Sequence, residues 1–119
     1  MKEETKNWLK KAEEDLGTAE DCLKSKRFSA SAFFCQQAIE KALKALEIER
    51  LGKFDKTHDL YFLGKKLNLP KELVDICEEI SEYYVETRYP DTYAVFEETK
   101  VSGALKKTRK VIEWTKKNF

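Results

Sequence analysis

The stretch from Phe28 to Leu51, FSASAFFCQQAIEKALKALEIERL, constrains the fold more than any other part of the sequence. Phe28, Ala32, Cys35, Ile39, Ala42 and Leu46 recur in alternating steps of four and three, the spacing of one helix face. Leu43 widens that face, and Phe34, Ala38 and Ala45 form a second row beside it, so the apolar arc covers about half the circumference at about 100° per residue. A helix patterned this way packs on two sides. Its remaining arc carries Gln36, Gln37, Glu40, Lys41, Lys44 and Glu47, read as the polar face, with Phe33 as an aromatic among them.

The flanking segments supply partners for it. Trp8, Leu9, Ala12, Leu16, Ala19 and Leu23 stripe a first helix from about Glu3 to Lys24, and the turn Ser25 to Phe28 is short enough to make the two helices antiparallel neighbours. Gly52 ends the central helix. Leu60, Leu63 and Leu67 mark a short third helix, with Asp55 or Thr57 as its expected cap and Asp59 near its positive end. Asn68 and Pro70 are read as opening a fourth, lined by Leu73, Ile76, Cys77, Ile80 and Tyr84. Pro90 removes a donor and forces the chain out of it at Arg88-Tyr89-Pro90-Asp91. Residues 91–97 form a connection in which Tyr93, Val95 and Phe96 can tuck against the bundle. Val101, Ala104, Leu105, Thr108, Val111, Ile112 and Thr115 define a last helix ending near Lys117. The expected fold class is all-α: an up-and-down antiparallel helical bundle of four long helices plus one short helix.

At 119 residues the chain is long enough for one core, so residues 1–119 are read as a single helical domain. Its 23 Lys and Arg nearly cancel 22 Asp and Glu, which removes any global pull toward nucleic acid or an anionic membrane. The charges are segregated instead. Residues 72–98 hold nine acids and one base, whereas residues 100–119 hold seven bases and one acid, which is either two solvated helix faces or a basic partner surface on the last helix. Cys22, Cys35 and Cys77 are dispersed on or beside apolar faces, as buried free thiols would be. No signal-peptide pattern or long apolar run occurs, so the expectation is a soluble, cytoplasmic protein.

Zinc spacings, inward Glu-x-x-His pairs, a phosphate loop and a nucleophile elbow are all missing, so no metal or other cofactor is expected. The unusual polar residues gather at one end. His58, in Thr57-His58-Asp59-Leu60, is either a capping or tethering residue or a catalytic one. Arg88, between Tyr84 and Tyr89 and near Asp91, is either a planar donor fork for phosphate with aromatic faces for bases, or half of a structural pair with Asp91.

At these residues the chain resembles the HEPN family, in the form that has a THDL loop and an RYPD segment. The matching pieces are Ala12 to Leu16 (AEEDL), Gln36 to Ala45 (QQAIEKALKA), Thr57 to Leu60 (THDL) and Tyr84 through Thr87-Arg88-Tyr89-Pro90-Asp91. They occur in family order and span roughly Trp8 to Val111. The resemblance implies a helical bundle that forms a homodimer, binds a nucleotide or RNA, and is commonly encoded beside a minimal nucleotidyltransferase in toxin–antitoxin-like pairs. The ligand-binding candidates are Arg88, which fits the family's arginine, with Tyr84, Tyr89, Asp91 and Tyr93 around it.

Several HEPN branches are metal-independent endoribonucleases carrying Arg, four to six residues, then His. Here the motif is incomplete. Tyr93 stands five residues after Arg88 and no histidine follows, while His58 lies too far beyond Arg50. Tyrosine, with an ordinary pKa of about 10, is a poor general base at neutral pH. A ribonuclease would therefore rest on Arg88 as phosphate donor with His58 or Tyr93 as base, and a purely structural partner without ligand is the remaining alternative.

Overall fold

The computed structural model describes residues 1–119. Helices α1 (Glu3–Lys24) and α2 (Phe28–Leu51) form an antiparallel hairpin with the expected bounds. The turn between them is a Schellman cap built without glycine. Lys26 takes the left-handed position at φ 62°, while Lys26 N and Arg27 N donate to the carbonyls of Leu23 and Cys22. Inside the hairpin the buried Ser31 hydroxyl donates to Ala19 O at 2.7 Å, one turn before α1 ends.

Helix α3 (Leu60–Lys66) follows the loop after Gly52, which sits at φ 76° as a helix terminator should. Its cap is Asp59 itself, whose carboxylate accepts from Phe62 N at 3.1 Å, while Thr57 Oγ1 accepts from Asp59 N at 3.1 Å. This corrects the expectation of Asp55 or Thr57 as cap: an acceptor must sit two or three residues before the free N–H it serves. Asn68, expected to open the fourth helix, closes the third. It is left-handed at φ 58°, with Asn68 N and Leu69 N donating back to Lys65 O and Gly64 O.

The fourth long helix comes in two pieces, α4 (Lys71–Ser81) and α5 (Tyr83–Glu86), parted at Glu82. Tyr83 takes the core position expected of Tyr84, and Tyr84 is only half-buried. A single 3₁₀ turn (Pro90–Thr92) leads toward α6 (Glu98–Lys116). In that connection only Phe96 tucks in, edge-on to Tyr83 at 5.2 Å; Tyr93 is 90% and Val95 72% exposed.

Every apolar position read for α6 is buried, and α6 lies along α2. Helix α2 is therefore the axis, touched by α1, α3, α4, α5 and α6. Because neighbours surround it, its supposed polar face is not solvated: Gln36, Glu40, Lys44 and Glu47 are all buried. The charge segregation also resolves within the fold. Lys107 and Lys110 of the basic α6 pair with Glu79 and Glu72 of the acidic α4, and Arg109 and Lys116 reach Glu20 and Glu13 of α1. No helix is long and apolar enough to cross a membrane.

Candidate functional site

The polar residues of the QQAIEKALK segment form a connected ladder. Asp15 of α1, only 2% exposed, pairs with Lys41 Nζ, which also donates to Gln37 Oε1 at 3.1 Å. Gln37 Nε2 donates to Gln36 Oε1 at 2.7 Å, and Gln36 Nε2 donates to Glu40 Oε1 at 3.1 Å. Lys44 Nζ completes the other side of Glu40, donating to Oε2 at 3.0 Å. Residues four apart on a helix adjoin through their side chains, so the spacing of the segment creates the rungs of the ladder, the Gln37–Gln36 bond links them, and burial makes its completeness matter.

At the outer end stands His58, with Nδ1 2.8 Å from Glu40 Oε1. Gln36 Nε2 also reaches the His58 carbonyl oxygen at 3.3 Å, so α2 holds both the ring and the backbone of this loop residue. Burial pushes the Glu40 carboxyl up, but hydrogen bonds from His58, Lys44 and Gln36 outweigh it and hold the group below the usual carboxylate range.

The His58 ring stacks on Tyr84, with centroids 3.9 Å apart and planes 14° from parallel. The Arg88 guanidinium lies 4.5 Å above the same tyrosine ring. Two planar groups at these distances cannot share one face, so Tyr84 is sandwiched between imidazole and guanidinium. Tyr84 therefore offers no face to a base, contrary to its reading as a stacking platform. Tyr89, 5.5 Å from the guanidinium carbon, and the exposed Tyr93 are the aromatics whose surfaces remain open. Phe33, which looked like a lone exposed aromatic, belongs to this cluster, at 5.4 Å from Phe34 and 6.4 Å from Tyr84.

Asp91 does not pair with Arg88. The 3₁₀ turn carries it away, and the Arg88 guanidinium makes no hydrogen bond or ion pair with the protein; two aromatic faces hold the side chain instead. Arg88 stands between two shallow clefts of about 380 Å³ each. Ser29 and Thr87 line both, Tyr89 and Tyr93 line one, and Phe33 and Phe34 line the other. Ser29 belongs to the first turn of α2, which carries neither a side-chain cap nor an acidic residue, so the positive end of the longest helix opens beside Arg88.

Arg50, the other arginine weighed against His58, is structural. It donates to Leu67 O at 3.0 Å and Asn118 O at 2.9 Å at the far end of α2. Burial pushes the thiols of Cys35 and Cys77 up to about 11 and about 12, which keeps them protonated and unreactive. No three His, Cys, Asp or Glu side chains gather as a metal set would require. The largest groove, about 830 Å³ between α4–α5 and α6, is lined by Asp75, Glu78, Glu79, Glu82 and Glu86, a surface that repels phosphate.

Sequence reading singled out His58, Tyr84, Arg88, Tyr89, Asp91 and Tyr93. The fold unites the first four, puts Tyr93 on the rim of the same cleft and leaves Asp91 apart. It adds Glu40, Gln36, Ser29 and Thr87. The signal for Glu40 and Gln36 was present in the QQAIEK motif, but a helical wheel assigned them to solvent.

The HEPN domain model matches residues 5–118, and the chain belongs to the HEPN family. It is 30% identical over 99 residues to "Putative toxin MJ1304" of Methanocaldococcus jannaschii, an alignment covering 74% of this chain and 64% of that protein. Among solved structures it is similar to TT1696 from Thermus thermophilus, with a TM-score of 0.93, 26% identity, and coverage of 99% of this chain and all of that one. It is also similar to ST0689, described as an archaeal HEPN homologue, with a TM-score of 0.81, 25% identity, and coverage of 98% and 97%.

Proposed function

We propose that this HEPN protein is a homodimeric binding module that engages a nucleotide or RNA through the Arg88 region and works with a separately encoded minimal nucleotidyltransferase. The observation that carries the reading is the state of Arg88: a guanidinium with no carboxylate partner, steadied by Tyr84 and Tyr89 between two clefts, its donors uncommitted. A planar fork so held suits a phosphate oxygen pair. The uncapped first turn of α2, with the Ser29 hydroxyl, adds N–H donors and a favourable dipole on the same side. Tyr89 and Tyr93 give bases a surface on which to stack. The exposed Val85 and Val95 are apolar surface that a second copy would cover.

The test is fluorescence anisotropy with a labelled, mixed-sequence oligoribonucleotide, beside sedimentation of the protein alone. Wild-type protein is expected to bind, with Arg88→Ala weakening binding by about ten-fold or more, the size of a lost charge-assisted contact. Equal binding by Arg88→Ala, or a monomer at tens of micromolar, would count against the respective half of the reading.

A metal-independent ribonuclease is the second reading, and the carboxylate-bound His58 favours it over a Tyr93-based one. The Tyr84 ring stands between His58 and Arg88, so the two do not meet around one bond in the manner general-base cleavage needs. Robust metal-free cleavage of the same RNA, abolished in both His58→Ala and Arg88→Ala, would replace the binding module by the enzyme.

A further inference from the structure

We propose that Glu40 is a positioning residue for His58: it holds the imidazole with its proton on Nδ1 and leaves Nε2 as a second contact for a phosphate-bearing ligand, across the Tyr84 ring from Arg88. The ligand half of this inference rests on the nucleotide or RNA reading above; the Glu40–His58 half does not.

The chemistry follows from the contacts. An ionised carboxylate only accepts hydrogen bonds, so the 2.8 Å contact makes Nδ1 the donor and fixes the tautomer. The depressed pKa of Glu40 agrees with an ionised group. Glu40 cannot swing away to satisfy another partner, because Gln36 shares Oε1 and Lys44 occupies Oε2. Gln36 is itself gripped through Gln37 and Lys41 to Asp15, which ties the orientation of one loop imidazole to the α1–α2 hairpin.

A cap needs none of this, since Asp59 already caps α3 and Thr57 Oγ1 holds the Asp59 N–H. Nε2 has no protein partner, and the His58 side chain is 52% exposed despite three restraints on it. A ring fixed by a buried carboxylate, stacked on an aromatic and open at its second nitrogen is pre-organised to meet something outside the protein. With the proton held on Nδ1, Nε2 accepts a hydrogen bond, as from a sugar hydroxyl of the ligand. The Arg88 donor fork on one face of Tyr84 and the Nε2 acceptor on the other would then suit the phosphate and a sugar hydroxyl of one nucleotide.

The chain has a single histidine, so long-range ¹H–¹⁵N spectra of uniformly labelled protein report His58 without ambiguity. The wild type is expected to show the Nδ1–H tautomer in its neutral form, and Glu40→Gln to shift population toward Nε2–H. In anisotropy titrations with a 5′-phosphorylated, labelled oligoribonucleotide, His58→Ala and Glu40→Gln are each expected to weaken binding by about ten-fold, and the double variant by no more than the worse single one. A wild-type Nε2–H tautomer overturns the proposal. So does a Glu40→Gln protein that melts earlier yet binds like wild type, because the pair would then only tether the loop. If Glu40→Gln fails to fold, Glu40→Asp, which draws the carboxylate back by one methylene, is read by the same criteria. Failure of the wild type to bind, or equal binding by Arg88→Ala, defeats the RNA reading and the ligand contact with it; the tautomer alone then decides whether Glu40 sets His58.

Discussion

Glu40 and Glu47 stand two turns apart on α2, both buried, and their carboxyls move in opposite directions. Donors surround Glu40, from His58, Lys44 and Gln36, and they overcome burial to hold it low. Burial raises Glu47, the neighbouring Asp55 carboxyl raises it further, and the Asp55 N–H and Lys66 offset only part of this. The consequences differ as the neighbours do. Glu47 accepts from Asp55 N at 3.3 Å and from Lys66 at 3.2 Å, while Lys66 also grips Asp55 at 2.6 Å, a clamp that closes the loop after Gly52 upon itself. Glu40 points its free binding capacity at an imidazole with an open nitrogen. Burial alone does not decide what a charged side chain does on a central helix; the donors around it do.

The largest expected effect tests that contrast directly. Glu40→Ala leaves the Lys44 ammonium, 4% exposed, without its partner, and is expected to cost about 3–5 kcal/mol in urea unfolding. Glu47→Ala is expected to cost about 1–3 kcal/mol, because Lys66 is a third exposed and keeps Asp55. The reverse order of losses would break the comparison.

Next in size is the dependence on pH. Glu40, lowered when folded, contributes stability that is fully present above the ordinary glutamate pKa of about 4.3 and is lost as pH falls through the folded value. The gap between wild type and Glu40→Gln should therefore narrow on acidification. Glu47, raised when folded, contributes stability that is full below about 4.3 and is lost as pH rises through the folded value. Glu47→Gln should gain on the wild type as pH rises. Urea midpoints for the three proteins between about pH 3 and pH 7 would show the two gaps moving in opposite senses.

Smaller effects delimit the region. Asp59→Ala removes the α3 cap next to His58 and is expected to cost about 1 kcal/mol. Lys107→Ala breaks a 2.8 Å pair with Glu79 whose side chains are both more than two-fifths exposed, and its unfolding free energy in urea should change by no more than about 0.5 kcal/mol. A loss at Lys107 equal to that at Glu40 would mean that exposed pairs, not the buried ladder, carry the electrostatic stability.

Some of this was legible in one dimension. The α1 stripe, the α2 rows and all seven buried positions of α6 follow from a 3.6-residue period, which any helix with a dry side must show. Gly52 and Pro90 mark chain reversals because their backbone chemistry is local. Local chemistry also explains the misreadings at Asn68 and Asp59: Asn can end a helix as readily as precede one, and Asp at position 59 suited both a first turn and a cap.

What the sequence by itself determined was a central helix with apolar rows on two sides, its antiparallel neighbours, and a set of polar residues (His58, Tyr84, Arg88, Tyr89) with no evident place in a core. Only the tertiary structure decided that Arg88 leaves Asp91 unpaired and lies on Tyr84, that the second face of that ring belongs to His58, and that Glu40 is buried beneath it. The reason is physical. Periodicity reports which side of a helix avoids water, but when neighbours surround the helix its polar side is buried as well, and which donors then meet which acceptors depends on distances between residues far apart in the chain.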